Sequence, residues 1–115
     1  MIAGIYNINC EQGSTFTRTF TITQSDGTVY DLTGFSARLQ IRKDYDSASL
    51  IHSATVANGG ITMSIPFGEI HVDIPASTTA TFTRDGVYDL EIFTTSGTVY
   101  KVVKGRFNLA REVTR

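Results

Sequence analysis

Apolar and polar residues alternate with a period of two in four stretches of the chain. Phe35, Ala37, Leu39 and Ile41 form one ladder, with Ser36, Arg38, Gln40 and Arg42 on the opposite side. Ile61-Met63-Ile65, Ile70-Val72-Ile74 and Tyr88-Leu90-Ile92 form the other three. A period of two puts every second side chain on one face of a pleated strand, so each stretch has one apolar and one wet face. The pattern predicts an all-β domain.

Weaker signals fill the intervals. Residues 2–9 read as a first strand containing Ile5 and Tyr6, broken by Glu11-Gln12-Gly13. In residues 14–24, Phe16, Phe20 and Ile22 share one face and threonines the other. Arg18 falls on the apolar face, an arrangement that suits a sheet edge with the stem packed and the head in water. Ser25-Asp26-Gly27 predicts a hairpin turn, since Asp-Gly supplies positive φ, with residues 28–32 as the return strand. Residues 43–49 are a polar loop and residues 50–55 a weaker strand. Asn58-Gly59-Gly60 is a turn, and residues 61–65 and 69–74 form a hairpin across Pro66-Phe67-Gly68. Residues 76–81 predict one helical turn with Ser77 as its cap. Residues 86–94 and 98–110 form a last hairpin across Thr95-Ser96-Gly97.

About nine short strands with turns every 8–12 residues or so predict an antiparallel β-sandwich, immunoglobulin-like or jelly-roll-like. Two facing sheets would bury the Phe35, Ile61, Ile70 and Leu90 faces together. A length of 115 residues predicts a single domain, 1–115. Within it, residues 1–12 are a docking arm or edge strand and residues 110–115 an exposed tail.

Charge and composition narrow the function. The net charge is -1, with 10 basic residues scattered among 11 acidic ones, so nothing favours nucleic acid as a partner. No run of 18 apolar residues suggests a membrane span, and the N-terminal residues lack the basic and apolar regions of a secretory signal. Cys10 is the single cysteine; no intrachain disulfide can form, and synthesis in a reducing cytosol is expected. The two prolines, Pro66 and Pro75, each follow a predicted strand.

No reaction centre stands out. His71 and Asp73 share the wet face of one strand, but no third metal ligand follows at useful spacing. Cys10 as a nucleophile would need a base and an orienting group; a buried thiol is the simpler reading. Asp89 and Glu91 share a strand face about 7 Å apart, a separation a glycosidase could use. With no aromatic platform evident beside them, a charged outer face that blocks edge pairing is preferred. Tyr30, Tyr88 and Tyr100 are a candidate sugar-stacking strip, although such tyrosines more often pack at a sandwich rim. These readings predict a protein that is not an enzyme and takes no cofactor or metal.

Several segments together resemble a known group. Gln12-Gly13-Ser14-Thr15-Phe16 leads a strand, Asp31-Leu32-Thr33-Gly34-Phe35 turns into the next, Gly86-Val87-Tyr88-Asp89-Leu90-Glu91-Ile92 comes late, and Glu112-Val113-Thr114-Arg115 is terminal. This succession resembles small virion proteins of tailed bacteriophages, and the N-terminal β-sandwich domain of phage upper-baseplate and tail proteins. The resemblance implies a non-enzymatic virion subunit on a tail, baseplate, neck or head, contacting other phage structural proteins and its own copies in a symmetric ring. Candidate interface residues are Ile2, Ile5, Tyr6, Arg111, Val113 and Arg115, where the two termini could offer a strand to a neighbour. The alternative is a carbohydrate- or receptor-binding module, motivated by the tyrosine and threonine content. Upper-baseplate proteins carry a long C-terminal part that does not appear in these 115 residues.

Overall fold

A computed structural model describes residues 4–113. Nine strands form two facing sheets: β1 (Gly4–Ile5), β2 (Ile8–Glu11), β3 (Phe16–Thr21), β4 (Ser36–Arg42), β5 (Leu50–Thr55), β6 (Ile61–Ser64), β7 (Glu69–Ile74), β8 (Gly86–Phe93) and β9 (Val99–Ala110). The larger sheet runs β9-β8-β4-β5, with β1 and β2 both on the outer side of β9; the smaller runs β3-β7-β6. The architecture is the expected all-β sandwich.

The alternating ladders decide which faces meet. Along β4, Ala37, Leu39 and Ile41 are buried while Ser36, Arg38, Gln40 and Arg42 are only partly covered. Along β8, Gly86, Tyr88, Leu90 and Ile92 point inward. Leu39 lies directly opposite Leu90, and Ile41 opposite Tyr88. The second sheet answers with Phe20, Ile61, Ile70, Val72 and Ile74. Each such side chain contributes about 1.5–3 kcal/mol on leaving water, so these paired layers carry most of the drive to fold.

Five expectations change. The expected strand over 2–9, of which residues 2 and 3 lie outside the described residues, is interrupted: two short strands flank Tyr6-Asn7, and both run parallel to β9. The Asn7 side chain causes the break, because its Oδ1 accepts the Arg106 N–H at 3.0 Å in place of a backbone carbonyl. The larger sheet is therefore mixed, while the remaining named strand pairs are antiparallel. Residues 28–32 form no strand beyond one bridge, Thr23 to Val29. There the Asp26 and Asp31 carboxylates accept the Thr28 and Thr33 N–H groups at 3.0 and 2.9 Å, and such local bonds compete with a ladder. The helical turn exists as α1 (Ala76–Thr79), but Pro75 is its N-cap and Ser77 lies inside it.

The other two differences fall at strand ends. Ile65 leaves its ladder for a 3-10 turn, Ile65–Phe67, because Pro66 fixes φ and has no N–H to pair. Phe35 precedes β4 and is half-buried between Tyr30 and Tyr100, both at 6.1 Å centroid separation, closing one end of the sandwich. The turn chemistry at Gly27 and Gly34 is as expected, with φ of 87° and 82°.

Candidate functional site

Two surfaces carry the residues with most to offer a partner. The first is the outer edge of the larger sheet. β2 pairs with β9, and among the described residues its other side has no strand neighbour. Its inward residues, Ile8 and Cys10, are buried, and its outward residues, Asn9 and Glu11, are exposed. Upstream, Ile5 is 78% exposed and Tyr6 is also on the surface. The Tyr6 backbone is held tightly: its N–H donates to Lys104 O at 2.9 Å, and its carbonyl accepts the Tyr88 hydroxyl at 2.5 Å. Gly105 makes this approach possible, since a Cβ there would stand 2.2 Å from the Tyr6 oxygen.

The tail lies at the far end of the same edge. The Gln12 N–H donates to Ala110 O at 2.8 Å and its Oε1 accepts the Glu112 N–H at 3.0 Å. Arg111 is exposed and Val113 is 91% exposed. Ile5 and Val113 thus share an edge but not a patch: Ile5 pairs with Lys104, whereas Val113 follows Ala110, six residues further along β9. Ile2 and Arg115, the other two candidate interface residues, lie outside the described residues.

Arg18 stands where the edges of the two sheets approach. It is on β3, an edge strand as expected, but its head is not simply solvated. The guanidinium lies over the Phe16 ring at 5.1 Å and the Tyr6 ring at 5.9 Å, and its buried Nε has no hydrogen-bond partner among the described residues.

The second surface is a groove of 240 Å³ on the outer face of the larger sheet. Its floor comes from β4, β8 and β9, whose outward positions hold Arg38, Gln40, Asp89, Glu91 and Lys101. Register makes the ion pairs, for Arg38 lies opposite Glu91 and Glu91 opposite Lys101. Arg38 Nε donates to Glu91 Oε1 at 2.7 Å, and Lys101 Nζ donates to Asp89 at 3.1 Å and to Glu91. Burial pushes the Glu91 carboxyl up, but the bonds from Lys101 and Arg38 outweigh it and hold the carboxyl below its ordinary value. The Glu91 bond likewise raises the Lys101 ammonium. A carboxyl held below its ordinary value is the opposite of the raised one that the acid of a glycosidase pair needs.

One wall of this groove is the loop after β4. Arg42 donates to the Ser47 and Ala48 carbonyls at 3.0 and 2.9 Å and to Gln40 Oε1 at 3.1 Å, which fixes the loop against the sheet. Tyr45, at the loop tip, is 69% exposed and lines the groove. An aromatic residue thus lines the same groove as Asp89 and Glu91, where the sequence shows none. The tyrosines proposed from the sequence do not form a strip: Tyr88 is in the core, and Tyr30 and Tyr100 pack around Phe35.

The remaining candidates are placed plainly. Cys10 is buried, and burial, with Glu11 as a lesser cause, pushes its thiol up, away from a reactive thiolate. His71 pairs with Thr19 Oγ1 at 2.9 Å and lies 3.4 Å from Glu69. No group of three potential metal ligands occurs among the described residues. No helix among them is long and apolar enough to cross a membrane. No protein-family model matches the sequence, and the search of curated proteins found no match.

Proposed function

We propose that this chain is a non-enzymatic structural subunit of a bacteriophage virion, docking on the tail, baseplate, neck or head through its N-terminal edge. The observation that carries the reading is the outer side of β1 and β2, which no strand among the described residues pairs, flanked by Ile5 at one end and Val113 at the other. An open strand edge with bare apolar side chains invites pairing with another chain, and a closed ring of copies would cover it. The partners are then other phage structural proteins and copies of the same chain; neither nucleic acid nor membrane is required. The sequence segments around Gln12, Asp31 and Gly86 support the same assignment by their resemblance to phage virion proteins.

Mass spectrometry of purified phage particles from a producing lysate tests the location; absence of the protein from intact particles refutes it. Sedimentation of the isolated chain tests the surface. Ile5→Asp and Val113→Asp should reduce self-association or particle incorporation while leaving the circular dichroism spectrum unchanged.

A further inference from the structure

The groove on the outer face of the larger sheet has a chemistry of its own. Three basic groups, Arg38, Arg42 and Lys101, face three acidic ones, Asp44, Asp89 and Glu91, so no net charge selects a charged ligand. The internal pairing is also incomplete. Among the described residues, Asp89 uses only Oδ2, Arg38 only Nε, and Gln40 only Oε1, while Asp44 gives Oδ1 to the Asp46 N–H. The remaining Asp89 and Asp44 oxygens are acceptors, and the Gln40 amide and the terminal nitrogens of Arg38, whose guanidinium also lies over the Phe93 ring at 4.6 Å, are donors. Donors and acceptors thus line one groove together, and ion pairs restrain the Arg38, Asp89, Glu91 and Lys101 side chains.

That pattern matches a ligand whose groups both donate and accept, namely neighbouring hydroxyls. Each can give its hydrogen to a carboxylate and accept from an amide or guanidinium. The Tyr45 ring supplies an apolar face for the carbon skeleton of such a ligand. The volume, 240 Å³, lies below the roughly 300–1,000 Å³ that drug-sized ligands fill, so it suits one ring rather than several. We infer that this groove binds a single neutral sugar unit, stacked on Tyr45 and hydrogen-bonded through Asp89, Gln40 and Arg38. The site is separate from the docking edge and stands whether or not the chain is borne on a particle.

Saturation-transfer NMR with the intact protein and a panel of methyl glycosides (glucoside, galactoside, mannoside and N-acetylglucosaminide) at millimolar concentration tests this. At least one should receive saturation at its ring protons. Tyr45→Ala should weaken that binding about three- to tenfold, as expected for a lost stacking ring. Asp89→Asn should weaken it too, while Glu91 keeps Lys101 in place and the amide spectrum confirms the fold. Absence of transfer to every glycoside overturns the inference. So does binding unchanged in both variants, which would put the sugar elsewhere.

Discussion

Gly105→Ala tests how firmly the N-terminal edge is built into the sandwich. The added Cβ would stand 2.2 Å from the Tyr6 oxygen and 2.8 Å from the Tyr6 carbonyl carbon, both backbone atoms that no rotamer change can move. Relief requires the arm to shift by about an ångström away from β9, beyond the reach of its present bonds. Three are at stake: Tyr6 N–H to Lys104, Tyr88 hydroxyl to Tyr6, and Arg106 N–H to Asn7. At about 1 kcal/mol each they sum to about 3 kcal/mol. Replacing a strand glycine by alanine returns about 0.5–1 kcal/mol of backbone entropy, leaving a net loss of about 2–2.5 kcal/mol. For a domain of this size that lowers the melting temperature by roughly 10 °C. Urea denaturation measures the loss directly. Gly4→Ala is the control, because its Cβ would meet nothing nearer than Val102 O at 3.8 Å. Gly105→Ala within about 0.5 kcal/mol of the parent, or no worse than Gly4→Ala, would refute the reasoning, since surface changes of no consequence stay in that range.

Three further outcomes are expected. Ile8→Ala should cost about 2–5 kcal/mol in urea denaturation, because it empties a core position, whereas Ile5→Ala on the exposed side should cost under about 0.5 kcal/mol. Burial raises the Tyr88 hydroxyl above its ordinary value of 10.0, so its contribution is complete below pH 10 and drains away as the unfolded chain ionises above it; Tyr88→Phe should flatten the alkaline fall in stability by up to about 1.4 kcal/mol per pH unit. Arg18→Met removes an inward-pointing charge from an edge strand together with a buried N–H that has no partner among the described residues; sedimentation velocity should show greater concentration-dependent association than the parent, and an unchanged profile would count against Arg18 as an edge guard.

The parts of this fold readable from the chain are those set by local alternation. β4, β7 and β8 follow their ladders because one face of each is sealed and a slip of one residue would expose it. The same rule places Tyr88 inside, beside Leu90 and Ile92, and so removes it from any sugar-stacking strip. The parallel seat of β2 on β9 joins residues about a hundred positions apart, and no local period records a partner that distant. The hairpin across Ser25-Asp26-Gly27 is legible from Asp-Gly and it forms, with the Gln24 N–H donating to Thr28 O at 2.7 Å and the Tyr30 N–H to Ile22 O at 2.9 Å; Asp-Gly does not record that the return stretch stops at a single bridge, where the Asp26 and Asp31 side chains bond Thr28 and Thr33. Tyr45 was invisible as a site residue for a related reason. It sits in a polar loop without periodicity, and its position over the groove depends on Arg42 gripping two carbonyls of that loop.

β9 joins the two surfaces, and one irregularity lets it serve both. Glu91 faces Lys101 whereas its neighbour Leu90 faces Val103, so Val102 is an extra residue in the strand. Val102 turns into the core and is buried. Before this bulge, Lys101 stays on the outer face and holds the Asp89 and Glu91 carboxylates. After it, residues from Val103 to Ala110 receive β1 and β2 in parallel register. A bulge lets one strand change its phase without losing its partner. Here it allows a charged groove and an edge that receives β1 and β2 to be built on the same twelve residues, each with its own side-chain alternation.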